Sequence, residues 1–553
     1  MQTTKEVIKT DVLVIGGGGA ASRAALEAKK SGLGVIMVVK GIFGKCGATV
    51  YEVAEKAGFN AVDSCGDPED SVETHFNDII FAAQGMADER LARIVAEEAP
   101  IVLKEMEDIG VKFEKIKECH YLKLGCFASK PRTHVIKNHG IPIVRCLQKE
   151  INKTDIKILS NTMITGLLVD NGFCFGAVGI DQKGNIIQII SKATILATGG
   201  AGQLYKYNLN PKDITGDGFI LAYTAGAELI NMEYIQFGTA TVVPNYALVD
   251  KWIWSVYPDI YNRDGFRFLK LYMPEGIDIY DGMKGKIHHM PFSTCDTSMY
   301  IDIGIEKEIM SNRGTQNKAV YLSLENIPDE RLESLPMWSF SYPWFLSKGI
   351  DLKNKPLEIG HFAHAFNGGI RINEHAQSTI DSLYAAGEVA GGYCGADRLG
   401  GDMLAGCQIF GKRAGRNAAK RAAQTKYHDN KRVIHNEIDR INKSIYGKKG
   451  SITPSELLNK LQDTMQNNVL IIRTEESLRK ALNNIDEISK DYEFLVGVKE
   501  QDIFRSFELK NMIEVAKIIA DSAMQRKESR GSHYREDHPK KNDKYNMPII
   551  VKK

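Results

Sequence analysis

Asp11-Val-Leu-Val-Ile15 runs without a break into Gly16-Gly-Gly-Gly-Ala-Ala21. Five residues, four of them apolar, read as a buried parallel strand, the glycines as a tight turn, and the Ala-rich amphipathic stretch to about Ser31 as a helix. The spacing is G-x-G-x-x-A at Gly16, Gly18 and Ala21. Gly16 allows the tight turn, Gly18 lets backbone approach a pyrophosphate, and Ala21 permits close helix–strand packing with phosphates over the helix N-terminus. The second strand, Gly34-Val-Ile-Met-Val-Val39, ends in Lys40 where a ribose-binding acid is usual, which removes the ordinary argument for NAD.

Outward from that turn, 553 residues exceed what a single hydrophobic core supports, so several domains are expected. Hydrophobic residues at 43% and charged residues at 25% describe a folded globular chain. A formal net charge of +2 gives no global field toward nucleic acid, so no nucleic-acid partner is expected. The nine cysteines are scattered with no C-x-x-C pair, so reduced thiols and no metal or cluster held by this chain alone are expected. No apolar run approaches the roughly 20 residues that cross a bilayer. A cytoplasmic location follows as an expectation, with any membrane association running through a partner.

Residues 68–110 carry helical apolar spacing, and residues 156–198 alternate like strands before closing in Ala193-Thr-Ile-Leu-Ala-Thr-Gly-Gly200. All four tryptophans fall between 240 and 357, in a segment read as an inserted domain. A second apolar strand meets a Gly-Glu turn at Leu383-Tyr-Ala-Ala-Gly-Glu388, and a long helix follows from the glycine-rich loop at Gly400. From about 430 to 525 the pattern is helical and charged; after Lys527 it is polar, basic and irregular.

Six motifs occur in order: the first glycine turn, Ala197-Thr-Gly-Gly-Ala-Gly202, Thr215-Gly-Asp-Gly218, Ala385-Ala-Gly-Glu-Val389, Arg398-Leu-Gly-Gly401 and the segment Arg526 to Pro539. Together they resemble the flavoprotein subunits of succinate dehydrogenase and fumarate reductase, a family that includes L-aspartate oxidase and adenylylsulfate reductase. The resemblance spans nearly the whole chain. It implies an α/β fold: a Rossmann-like FAD-binding domain (1–239 and 358–427) interrupted by an α+β capping domain (240–357), then a helical domain (428–525) and a C-terminal tail (526–553). FAD would contact Gly16, Gly18, Ala21, Thr49, Gly199, Asp217 and Glu388, with the helix after Gly401 aimed at the flavin. Family members that attach FAD covalently use a histidine in a Ser-His-Thr segment. Lys45-Cys-Gly-Ala-Thr-Val50 has none, so non-covalent FAD is expected.

The resemblance also implies that His364, four residues before Gly368-Gly369, and Arg398 hold a carboxylate of a small carboxylic-acid substrate, and that an iron–sulfur protein is a partner. His361, close to them, is expected to be a satisfied structural histidine. Two family features are missing. The substrate histidine after Phe-Gln is replaced in Ile235-Gln-Phe-Gly238, and the proton-transferring arginine of the cap by Thr294-Cys-Asp296. Fumarate itself is therefore not the expected substrate; Trp252, Trp254, Tyr257 and Tyr261 of the cap either admit a larger or aromatic acid or simply fill the cap's core, and Cys295 or Tyr261 offers a substitute proton donor. The alternatives are an amino-acid oxidase like L-aspartate oxidase and a non-catalytic flavin electron-transfer subunit.

Overall fold

The computed structural model describes residues 6–52, 56–446, 450–496 and 502–553. The opening strand, Glu6–Ile15, lies at the centre of a seven-stranded sheet. Parallel partners flank it: Val12 pairs with Val35 on the strand Val35–Val38 and with Ala193 on Ile186–Leu196. Lys157–Leu159 extends one side in parallel, and Leu383–Ala385 joins Ile186–Leu196 in parallel. The antiparallel strands Phe173–Asp181 and Thr162–Asp170 finish the other side. Val12, Leu13 and Val14 are fully buried, as expected of a strand covered on both faces.

The helix Gly19–Lys29 begins directly after the glycine turn and packs along the long helix Asp402–Gln424. That contact is close because the facing residues are small: a Cβ at Gly411 would stand 2.8 Å from the Ala20 carbonyl, and one at Gly415 2.2 Å from that of Ala24. Residues 68–110 form two helices, Val72–Ala83 and Glu89–Asp108, separated where Gln84 takes a left-handed conformation (φ 50°) ahead of Gly85.

A second sheet of four antiparallel strands orders Ile235–Thr241, Leu357–Phe366, Val320–Ser323 and Asp259–Tyr261. Beside it a separate hydrophobic cluster gathers residues between Ala247 and Ile359, with Trp252, Trp254 and Trp338 buried in it and Trp344 packed against it. Four helices, Lys431–Tyr446, Pro454–Asn468, Glu475–Tyr492 and Ile503–Gln525, make up most of the C-terminal part.

The segment after Gln525 is not a solvated tail at its start. Arg526, Glu528, Ser532, His533 and Arg535 are fully buried. Arg526 donates through Nε to Glu233 Oε1 at 2.6 Å, and Arg473 Nη1 reaches both the Glu233 carbonyl and His533 Nδ1. The expectation of reduced thiols is corrected at one place: Cys65 and Cys119 are joined in a disulfide, which links the loop after the strand Ala57–Asn60 to the short hairpin strand Cys119–His120. The spacing gave no signal because the two residues are 54 positions apart.

Candidate active site

One elongated cavity of about 360 Å³ runs between the first glycine turn and the base of the cap. Gly16, Gly18, Thr49, Gly199, Asp217 and Glu388 all line it, and so do His364 and Arg398. Ala21 does not reach the cavity; it is fully buried, and a Cβ at Gly16 would meet its methyl at 3.4 Å.

The turn fits a bound dinucleotide for stated physical reasons. Gly16 has φ +133°, and a Cβ there would lie 2.1 Å from the Ala197 carbonyl, so no other residue is tolerated. Gly18 caps the helix Gly19–Lys29 without any side-chain hydrogen bond; Thr49 Oγ1 accepts from the Gly19 N–H at 3.2 Å, and the Gln408 amide also approaches Gly19. Backbone donors at a helix N-terminus left open toward a cavity suit a pyrophosphate. Asp217 is engaged on both oxygens, by Lys40 Nζ and the Thr215 hydroxyl on one and by Asn511 on the other. Burial lowers the Lys40 pKa, but the Asp217 and Glu508 carboxylates outweigh it and hold the ammonium charged. The lysine that ends the second strand is thus fixed by its own ion pairs.

Glu388 is half-buried, and desolvation raises its carboxyl above the ordinary value, although the Phe366 N–H donates to Oε1 at 3.0 Å. The helix Asp402–Gln424 starts at Gly401 (φ 102°) with no side-chain cap, and Gly401, Met403 and Leu404 line the cavity. Asp402, in that first turn, is held by Asn60 Nδ2 at 2.8 Å and His75 Nε2 at 3.1 Å. An uncapped helix start presents partial positive charge to whatever lies in front of it.

At the far end, Arg398 is 8% exposed; Nη2 donates to Gln236 Oε1 at 2.9 Å, Nη1 to the Leu399 carbonyl, and Nε is buried with no partner. Gln236 also donates to the Arg398 carbonyl, so the segment that lacks the family's histidine still clamps the arginine. His364 has a buried Nδ1 with no partner, and burial together with the nearby Arg398 pushes its pKa down to about 4. His361 lies three residues away on the same strand, an odd offset that turns it to the opposite face. There it bonds to Asp302 and Glu306; burial opposes protonation, yet those carboxylates bring its pKa up to about 9.

Of the two substitute proton donors, Tyr261 sits on the cap's edge strand packed on Tyr321, away from the cavity lining. Cys295 does not line the cavity either; it is half-buried with Sγ 3.5 Å from His289 Nε2, and His289 also contacts Asp296 at 3.1 Å and stacks on Phe127. Ser293 joins this group to Asp397, the neighbour of Arg398: its hydroxyl donates to Asp397 at 2.6 Å and accepts from the Cys295 N–H. Burial pushes the Asp397 carboxyl up to about 7. Sequence reading missed Gln236, His289 and Asp397; of these only Asp397 carried a sequence signal, as the neighbour of Arg398. Among the described residues, none of the four tryptophans lines the cavity, so they do not shape it as a pocket for a bulky acid.

The FAD binding domain family matches residues 11–404, and the fumarate reductase flavoprotein C-terminal family matches residues 458–550. An uncharacterised FAD-dependent oxidoreductase of Methanocaldococcus jannaschii is 39% identical, over 99% of this chain and 96% of that one. One of the subunits of the fumarate reductase (CoM/CoB) of Methanothermobacter marburgensis is 35% identical, over 99% of this chain and 97% of its own. Among solved structures, Mycobacterium smegmatis Sdh1 in complex with UQ1 superposes with a TM-score of 0.85 at 29% identity, covering 99% of this chain and 92% of that chain.

Proposed function

The chain belongs to the FAD-binding flavoprotein family of the fumarate reductase and succinate dehydrogenase type, and from that premise we propose that it reduces or forms a carbon–carbon double bond beside a carboxylate held by Arg398 and His364. It is an FAD-dependent oxidoreductase. FAD, when bound, supplies the two-electron hydride chemistry.

The observation that carries the proposal is a buried guanidinium whose Nε lacks a partner, beside a histidine whose Nδ1 lacks one, both on one cavity wall. Two unmet donors of this kind suit a carboxylate. With His364 neutral near pH 7, Arg398 alone contributes the positive charge, and the ring contributes a directed N–H. Gln236 orients Arg398 from behind. The uncapped helix at Gly401 favours negative charge in the cavity.

Proton movement to or from the neighbouring carbon we assign to Asp397, next to Arg398 in the chain and hydrogen-bonded by the Ser293 hydroxyl; Cys295 meets Ser293 only through its backbone N–H, so its thiol and His289 are not joined to Asp397 as a relay. The protein works with a second, electron-carrying polypeptide of the iron–sulfur class; support comes from the Methanothermobacter relative, which is itself one component of a multi-subunit reductase. Fumarate is not demanded by this site, where Arg398 is the one arginine among the described residues that line the cavity.

The test uses purified holoprotein with a reduced viologen as donor and a panel of fumarate, methylated and aromatic enoates and iminosuccinate. Turnover of an enoate that Arg398→Ala abolishes is expected. Oxygen consumption with an amino acid and no enoate turnover would overturn the reading in favour of an amino-acid oxidase; no flavin reoxidation by any acid would leave an electron-transfer role.

A further inference from the structure

Away from the cavity, three side chains converge at the disulfide-linked loops. Asp63 Oδ2 lies 2.5 Å from His120 Nδ1 and 2.9 Å from His134 Nε2, and the two rings stand 4.8 Å apart. The other nitrogen of each ring is already committed. His134 Nδ1 faces two carbonyls, those of Arg132 at 3.1 Å and Phe59 at 3.3 Å, which only accept, so it carries the proton. His120 Nε2 faces Glu107 Oε1 at 3.0 Å and carries its proton for the same reason. In the neutral tautomers that remain, His120 Nδ1, His134 Nε2 and Asp63 Oδ2 are three lone pairs pointing at one another. Such a contact repels unless a cation or an extra proton sits within it.

The His134 ring is fully buried. The shell around the three atoms has the organisation of a metal site. Each imidazole donates its second N–H to a carboxylate or carbonyl, and Asp63 Oδ1 accepts from the Cys65 N–H at 2.8 Å. Phe113 packs edge-on against both rings. The Cys65–Cys119 disulfide ties the two ligand-bearing loops, since Cys65 lies two residues after Asp63 and Cys119 directly before His120.

We propose that Asp63, His120 and His134 bind a divalent transition-metal ion of the zinc class, with the fourth position open. The three ligand atoms lie within 4.8 Å of one another. Tetrahedral zinc with bonds of about 2.1 Å sets its ligands roughly 3.4 Å apart, so the two close contacts open by several tenths of an ångström on binding. The ion is remote in role from hydride transfer. It pins the strand pair carrying Phe59↔His134 and Asn60↔Thr133, and Asn60 is the residue that holds Asp402 at the start of the cavity helix.

The test measures metal content on full-length FAD-loaded protein, chelator-treated and dialysed, then titrated with Zn(II) and separately with Co(II). One saturable equivalent per chain is expected for the wild type and for Cys295→Ser, which removes the second cluster of potential ligands, His289, Cys295 and Asp296. At least a tenfold weaker affinity is expected for Asp63→Asn and for His120→Gln, each with FAD content and helical signal retained. His120 is part-exposed, so its variant keeps the test decisive if Asp63→Asn misfolds. No saturable uptake by the wild type, unchanged affinity in both variants, or loss of uptake in Cys295→Ser instead would overturn the proposal.

Discussion

At Arg398 and His364 one permanent charge and one neutral ring face the same cavity, and their titration behaviour separates their roles. Arg398→Lys keeps the charge but loses the planar fork clamped by Gln236, and should lower kcat/KM by about 10- to 100-fold, the worth of a charge-assisted hydrogen bond. Because His364 titrates at about 4, it should contribute no ionisation to the kcat/KM profile between pH 6 and 8. Asp397, at about 7, should contribute one, and Asp397→Asn should remove it; a profile unchanged in that variant would exclude Asp397 from proton movement. His361 works in the opposite sense to His364. Its folded pKa is raised from 6.5 to about 9, so its stabilising contribution is complete below pH 6.5 and is lost as pH rises through about 9. Thermal melts of the wild type should fall across that window more steeply than those of His361→Gln.

The glycine turn and the helix it opens act as one element. A side chain at Gly16 would combine a φ of +133° with a contact of 2.1 Å to the Ala197 carbonyl, which joins this turn to the strand Ile186–Leu196. Backbone strain alone costs about 1–2 kcal/mol for a left-handed residue, so Gly16→Ala should reduce FAD retention by tenfold or more, read as flavin absorbance per mole of purified protein. The uncapped start at Gly401 depends on Asn60 in the same manner: a Cβ at Gly401 would stand 2.4 Å from Asn60 Oδ1, so only glycine lets that strand and helix meet. Here the backbone itself, not a side chain, presents the positive edge of the cavity.

Across the whole molecule, the segment after Gln525 closes the structure from inside. Arg526 and Glu233 are both fully buried and paired at 2.6 Å, so Arg526→Ala leaves an uncompensated carboxylate and should cost about 3–5 kcal/mol, measured by denaturant unfolding of the holoprotein. The stretch 45–50 carries no histidine, so acid denaturation should release all flavin into the supernatant. Flavin remaining on the precipitated chain would reveal a covalent link.

The dinucleotide turn is legible in the sequence because it rests on local order, glycine spacing after an apolar strand; the FAD-binding α/β architecture and the two cavity groups are legible through short motifs that resemble the family's. Only the tertiary structure decided what surrounds them. Gln236 meets Arg398 across 162 positions, and Arg526 meets Glu233 across 293, and no periodicity encodes such pairings. In sequence the tryptophans of the cap suit a pocket or a core equally, and in space they are core residues, because burial depends on which face of a sheet a helix covers. The run after Gln525 is polar and basic in sequence, yet its arginines are buried, since a charge enters a core when a distant carboxylate or carbonyl is there to receive it. Asp63, His120 and His134 are joined only by strand pairing and a disulfide, so their convergence belongs wholly to the fold.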